Sequence, residues 1–157
     1  PGFKYNMPDT SAAIGLAQLE RANAMRQERQ RCADRYIDRL AGLDCIDLPR
    51  VSVDPRSHAW HLFPIVLRPN SPVDRNRLMC LLAEKGIGTS VPYKPLHRMT
   101  YYRETYHLNA ADFPNAERIW RGCLSLPIYP SLSNDAIDSI YSSLSSLLTR
   151  KETGKAA

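Results

Sequence analysis

His58-Ala59-Trp60-His61-Leu62-Phe63-Pro64-Ile65-Val66-Leu67-Arg68 is the stretch whose reading decides the fold. It is rich in aromatic and β-branched residues and reads as a strand. Pro64 has no backbone N–H to give a ladder, so the strand is expected at a sheet edge or at a bulge. On such a strand His58 and His61 point to opposite faces, which makes them ordinary strand histidines rather than a metal pair.

Upstream, Asp9, Thr10 and Ser11 are candidate N-caps. The helical pattern after them runs through Ile14, Leu16, Leu19, Met25, Cys32, Tyr36, Ile37 and Leu40 to Gly42, a candidate C′ glycine. At about 30 residues this helix is long for a globular protein and is expected to bridge two bodies of structure, with room for a bend at residues 23–27. Glu28–Arg31, Arg31–Asp34 and Arg35–Asp38 are opposite charges three apart on its exposed side. Residues 43–55 read as loop.

Downstream, Ser71-Pro72-Val73-Asp74 resembles a capping box. The helix it opens carries Leu78, Leu81 and Leu82 and stops at Gly86. Residues 87–91 read as a second strand, 92–97 as a proline-bounded turn and 99–106 as a tyrosine-rich short helix. Asp112 is a candidate cap for a helix through Ala116, Ile119 and Trp120 to Gly122, and residues 124–126 read as a third strand. Ser133, Asn134 and Asp135 open a last helix striped with Ile137, Ile140, Tyr141, Leu144, Leu147 and Leu148. Residues 150–157 are a polar tail. This order predicts an α+β fold: a short three-stranded sheet, mixed or antiparallel, with helices on one face and a long bridging helix in front.

Bulk composition narrows the function classes. The chain has 157 residues and 21 Lys+Arg against 16 Asp+Glu, a net charge of +5. Arg29, Arg31, Asp34, Arg35, Asp38 and Arg39 interleave the two signs, which is a solvated helix face rather than a nucleic-acid surface. No apolar run approaches the roughly 20 residues of a membrane span, and no apolar leader follows Pro1. The chain opens on Pro1 rather than Met, so the reading expects an internal position of a longer gene product or a trimmed end. Cys32, Cys45, Cys80 and Cys123 form no CxxC pair. Cys32 and Cys80 fall in helical apolar patterns and are expected to be buried thiols in a reducing cytoplasm. No GxSxG, P-loop or GxGxxG is present. Gly86-Ile87-Gly88-Thr89-Ser90 follows a helix, so it reads as a C-cap leading into a strand. The acids lie on helix faces or at caps, which leaves no argument for a catalytic carboxylate pair.

Five segments carry more than composition does. They are Gly2-Phe3-Lys4-Tyr5-Asn6-Met7-Pro8-Asp9 running into Ser11-Ala12-Ala13-Ile14-Gly15-Leu16-Ala17-Gln18-Leu19; His58-Ala59-Trp60-His61-Leu62-Phe63-Pro64-Ile65; Gly86-Ile87-Gly88-Thr89-Ser90-Val91-Pro92-Tyr93-Lys94-Pro95-Leu96-His97; Asp112-Phe113-Pro114-Asn115-Ala116-Glu117; and Leu124-Ser125-Leu126-Pro127-Ile128-Tyr129-Pro130. Each is weak alone. Together, in this order and spacing, they resemble the DegT/StrS family of pyridoxal-phosphate-dependent sugar aminotransferases, over residues 2 to about 148.

The resemblance implies the small C-terminal domain of a fold-type I enzyme. Residues 1–24 then belong to the interface with a large cofactor domain, residues 25–149 form the small domain and residues 150–157 a tail. It also implies pyridoxal 5'-phosphate, a cytoplasmic homodimer with its active site at the subunit interface, a nucleotide-sugar substrate and an amino-acid donor, commonly glutamate. The setting would be cell-surface polysaccharide or related amino-sugar biosynthesis. The family's Schiff-base lysine would precede Gly2. Lys4, Lys85, Lys94, Lys151 and Lys155 do not match it, so no catalytic residue is assigned and the chain alone is expected to be inactive.

By the same resemblance Lys4 and Asn6 reach toward the partner's cofactor phosphate. Asn6 stands where many members carry Arg, and it resembles the form in members that make 4-amino-4-deoxy-pentose nucleotides. Tyr93, Lys94 and His97 are implied at the sugar-nucleotide site, Tyr93 by stacking or hydrogen bonding and Lys94 by neutralising a pyrophosphate. Pro92 replaces a histidine common in the family. No metal, nucleic-acid or membrane partner is expected. Two alternatives stay open: a sugar dehydratase of the same family, with His in the Schiff-base position, and a non-catalytic dimerisation or binding domain.

Overall fold

A computed structural model of the chain describes residues 5–52, 54 and 57–149. The polar tail and Lys4 lie outside the described residues. The elements are α1 (Asp9–Leu40), β1 (Ile46–Asp47), β2 (Phe63–Leu67), α2 (Arg75–Glu84), α3 (Thr100–Thr105), α4 (Pro114–Gly122), β3 (Cys123–Leu126) and α5 (Asn134–Thr149). The sheet is antiparallel in the order β1-β2-β3, which resolves the mixed-or-antiparallel question.

The long helix forms, as 32 residues without interruption. Pro8 rather than Asp9, Thr10 or Ser11 is its N-cap, and no side chain caps its first amides. Its C-cap, Ala41, stays right-handed, so Gly42 is not the left-handed C′ glycine expected. Of the surface ion pairs expected along it, Glu28–Arg31 is present at 3.0 Å. Arg35 and Arg39 instead reach across to Asp138 of α5, at 2.5 and 2.9 Å. A tertiary carboxylate that accepts from two arginines outcompetes the weak exposed pair on the same helix.

β2 is the central strand, not an edge, although it contains Pro64. The register explains how. Pro64 opposes Ser125 of β3, and Ser125 sends both its N–H and its C=O the other way, to Ser90 at 2.7 and 3.3 Å. The pair Pro64–Ser125 is therefore a non-hydrogen-bonded one. The proline nitrogen faces the β1 side, where β1 pairs only Val66 and Leu67. Pro64 thus sits at a local edge within a central strand.

The strand is also shorter than residues 58–68. Trp60 takes a φ of 45°, leaves the extended region and turns the chain, so His58 and His61 are not strand residues at all. His58 Nδ1 accepts from the Trp60 N–H at 3.1 Å, and the two rings meet edge to face. Trp60 is buried, its Nε1 donating to Gln30 Oε1 of α1 at 2.8 Å.

The core lies between α1, α2 and α5 and the β2 face made by Phe63, Ile65 and Leu67. Tyr36 packs on Phe63 with ring centroids 4.8 Å apart and donates its hydroxyl to the Pro127 carbonyl at 2.9 Å. Each such fully buried side chain contributes about 1.5–3 kcal/mol. Gly122 joins α4 to β3 against β2. A Cβ there would lie 2.5 Å from the Leu67 carbonyl oxygen, a clash with backbone.

Several local expectations change. The cap of α2 is Asp74, whose side chain accepts from the Arg77 N–H at 2.9 Å, while Ser71 bonds the Val73 carbonyl; Ser71 does not close a capping box. Phe113 rather than Asp112 precedes α4 as its cap residue. Residues 87–91 do not form a strand; Ser90 makes a single bridge to Ser125, and the third strand is β1, within the segment read as loop. The stop of α2 is as expected: Gly86 has φ 75°, and Ile87 N–H returns to the Leu82 carbonyl at 2.9 Å. Ser133 caps the last helix by accepting from the Ala136 N–H at 3.1 Å. Cys32 is buried, but Cys80 is exposed on the outer side of α2.

Candidate functional site

The loop from Ser90 to Arg98 is held at both ends and open in the middle. At its start, the two backbone bonds between Ser90 and Ser125 tie it to β3, and the Cys123 thiol approaches the Pro92 carbonyl at 3.8 Å. At its end, residues Leu96–Arg98 form a single 3-10 turn. Between these anchors Tyr93 and Lys94 are exposed, Tyr93 by 74%.

Two depressions flank this loop. One, of about 410 Å³, is apolar and is lined by Leu48, Pro49, Leu62, Pro64, Val66, Pro92, Tyr93, Ile119 and Cys123, with Asp47 at its rim. It uses the sheet face opposite the core. The other, of about 300 Å³, collects the polar side chains of His61, Thr89, Ser90 and Ser125. An apolar surface beside exposed hydroxyl, phenol and ammonium groups suits a ligand with a ring and a charged tail. Farther along the surface, Tyr101 and Tyr102 of α3 and Tyr106 at its C-terminal end are exposed, the Tyr102 ring in contact with each of the other two.

His97, expected at the sugar site with Tyr93 and Lys94, turns inward instead. Its ring is 5% exposed and stacks on Phe113 at 4.7 Å. Nε2 lies 2.7 Å from Glu117 Oε1. Arg98 donates to the same carboxylate through Nε and Nη2, both at 2.6 Å. Glu117 is itself 6% exposed. The Arg98 guanidinium and then His97 pull its carboxyl from 4.5 down to about 2, so it stays ionised. The sequence places Glu117 at the end of a family-like segment, but the reading gave neither it nor Arg98 a role. The signal was there: Phe113, just ahead of α4, and Trp120 stand four before and three after Glu117, which puts the carboxylate on the same side as two large rings.

A larger cavity, of about 830 Å³, opens between the end of β2, the start of α2 and α4. Its arginines are already engaged: Arg68 and Arg118 by Asp47, Arg121 by Glu117, and Arg75 by the Cys123 carbonyl and the Trp120 ring. Size alone does not make it the site. Asn6 is exposed just ahead of α1. Lys85 and Lys94, the lysines among the described residues, are both exposed. No group of three or more His, Cys, Asp or Glu able to hold a metal ion occurs among the described residues, and no described helix is long and apolar enough to cross a membrane.

Comparison with known proteins places this geometry in context. The profile of the DegT/DnrJ/EryC1/StrS aminotransferase family matches residues 1–145. The spore coat polysaccharide biosynthesis protein SpsC of Bacillus subtilis is 39% identical over 142 residues, covering 89% of this chain and 36% of SpsC. Spr1654 of Streptococcus pneumoniae, in its PLP form, superposes with a TM-score of 0.86 at 29% identity, covering 98% of this chain and 38% of that one. NtdA of Bacillus subtilis, solved with bound cofactor PMP, gives 0.77 at 30% identity, covering 95% and 34%. The chain spans little more than a third of the length of the relatives it matches.

Proposed function

Because the chain belongs to the DegT/DnrJ/EryC1/StrS aminotransferase family, we propose that it is the small domain of a pyridoxal-phosphate-dependent enzyme that moves an amino group, from glutamate, onto a nucleotide-linked keto sugar. Relatives solved with PLP and PMP support the cofactor, and SpsC supports a role in polysaccharide assembly.

The observation that carries the reading is the division of α1. Ile14, Leu16 and Leu19 are 66–69% exposed, whereas Cys32, Ala33, Tyr36 and Leu40 are fully buried. An apolar group left in water on half of a continuous helix calls for a second body to cover it. We assign residues 1–24 to that seam, residues 25–149 to the small domain, and the covering body to a cofactor domain with its own Schiff-base lysine.

The described residues fit an edge of a cofactor site rather than its cradle. Asn6 is exposed beside first-turn amides of α1 that no side chain caps, and its amide N–H would hold a phosphate oxygen. When bound, pyridoxal phosphate supplies the electron sink and carries the amino group. This chain would orient the acceptor: Tyr93 offers a ring and a hydroxyl at the apolar depression, and Lys94 offers an ammonium to a pyrophosphate. In a homodimer Asn6 would serve the partner's cofactor.

Lys94→Ala in the complete enzyme tests the assignment. The expected result is a KM for the nucleotide sugar raised about tenfold, as for one lost charged hydrogen bond, with kcat little changed. An unchanged KM removes Lys94 from the site.

A further inference from the structure

The buried carboxylate of Glu117 has no place in a reaction that its own surroundings keep it from touching. It is 6% exposed, and both its oxygens are occupied by Arg98 and His97. Its partners are consecutive residues of the 3-10 turn that ends the Tyr93–Lys94 loop. His97 is further fixed from its face by Phe113, the residue just ahead of α4. Arg121, one turn on along α4, also approaches this carboxylate, at 3.6 Å. The other end of the loop is tied by the two backbone bonds between Ser90 and Ser125 and by the Cys123 thiol against the Pro92 carbonyl.

We propose that Glu117 is a positioning residue for the sugar half of the reaction: through Arg98 and His97 it clamps the loop that presents Tyr93 and Lys94, so that their polar groups meet the acceptor without a search. This rests on the proposed function, since it takes Tyr93 and Lys94 as acceptor contacts. The physical case is one of rigidity. Tyr93 and Lys94 have no hydrogen bond of their own among the described residues, so their placement comes from the anchors on either side. A bidentate carboxylate–guanidinium pair fixes direction as well as distance. Loss of its charge lets the turn drift, and a displacement of about 1 Å is enough to cost a well-oriented reaction up to about a hundredfold.

The test uses the complete enzyme and separates the two half-reactions by cofactor absorbance. Glutamate converts the bound aldehyde form to the amine form; a panel of UDP- and dTDP-linked keto sugars converts it back. Glu117→Gln keeps the size and loses the charge. The expected result is a KM for the keto sugar raised about tenfold, with the glutamate half-reaction within about twofold of wild type. Glu117→Asp should recover part of the loss. Adding Glu117→Gln to Lys94→Ala should cost less than the product of the separate effects, because both act on one contact. Should Glu117→Gln not fold, Arg98→Gln, on the half-exposed side of the pair, is read in the same way. Equal loss in both half-reactions, no change in the sugar KM, or fully multiplicative effects with Lys94→Ala would each overturn the clamp while leaving the proposed function standing. A complete wild-type enzyme that aminates none of the panel overturns both.

Discussion

The two halves of α1 have the same backbone and opposite surroundings. From Asp9 to Ala24 nearly every residue is exposed, including Ile14, Leu16 and Leu19; from Met25 onward one face is progressively buried until Leu40 is fully enclosed. A helix on its own is weakly stable, and in proteins the packing of an apolar face supplies most of its stability. The second half has that packing: Tyr36 against Phe63, Gln30 against Trp60, and Arg35 and Arg39 against Asp138. The first half has apolar residues, Ile14, Leu16 and Leu19, that stay exposed among the described residues. Helical pattern therefore marks where a helix forms, and burial marks which body it serves.

The largest way to break this comparison is in the core. Phe63→Ala in this chain should lower unfolding stability by about 3–5 kcal/mol, and Leu19→Ala by no more than about 0.5 kcal/mol. Denaturant unfolding compares them, and equal costs would mean that the first half is packed after all. Glycine sharpens it next. Gly122→Ala drives a Cβ into the Leu67 backbone and should cost about 1–3 kcal/mol. Gly15→Ala meets nothing within 4 Å and should stabilise the helix by about 0.5–1 kcal/mol. A smaller effect is electrostatic. Arg35 and then Arg39 hold the Asp138 carboxyl down from 3.8 to about 2. Its contribution is complete above the ordinary value and is lost as the pH falls toward 2. Asp138→Asn should flatten the stability profile over that interval, with Glu117, held low by Arg98 and then His97, contributing to the fall that remains. A variant profile parallel to that of wild type would mean the two arginines do not bind the second half of α1 to α5.

Much of the fold was legible because its signals are local and repeated. The stripe of α5, the stop at Gly86 and the length of α1 each follow from residues close in sequence. What escaped was set by long-range partners. β1 is two residues long and exists because Leu67 and Val66 offer it a ladder. Pro64 is tolerated in a central strand because Ser90, 26 residues on in sequence, takes up the bonds of Ser125. Trp60 delays the start of the strand by adopting a backbone angle, φ 45°, outside the extended region. At the site, Tyr93 and Lys94 came from resemblance and are found exposed. His97 came from the same motif and is found inside, because a buried carboxylate 20 residues later claims it.

Hydrogen exchange along α1 measures the central claim most directly, in this chain alone and in the complete enzyme. Amides of residues 25–40 should be protected in both. Amides of residues 9–24 should exchange rapidly in the isolated chain and become protected in the complete enzyme, as the covering body seats on Ile14, Leu16 and Leu19. Strong protection of residues 9–24 in the isolated chain, or none in the complete enzyme, would contradict the account.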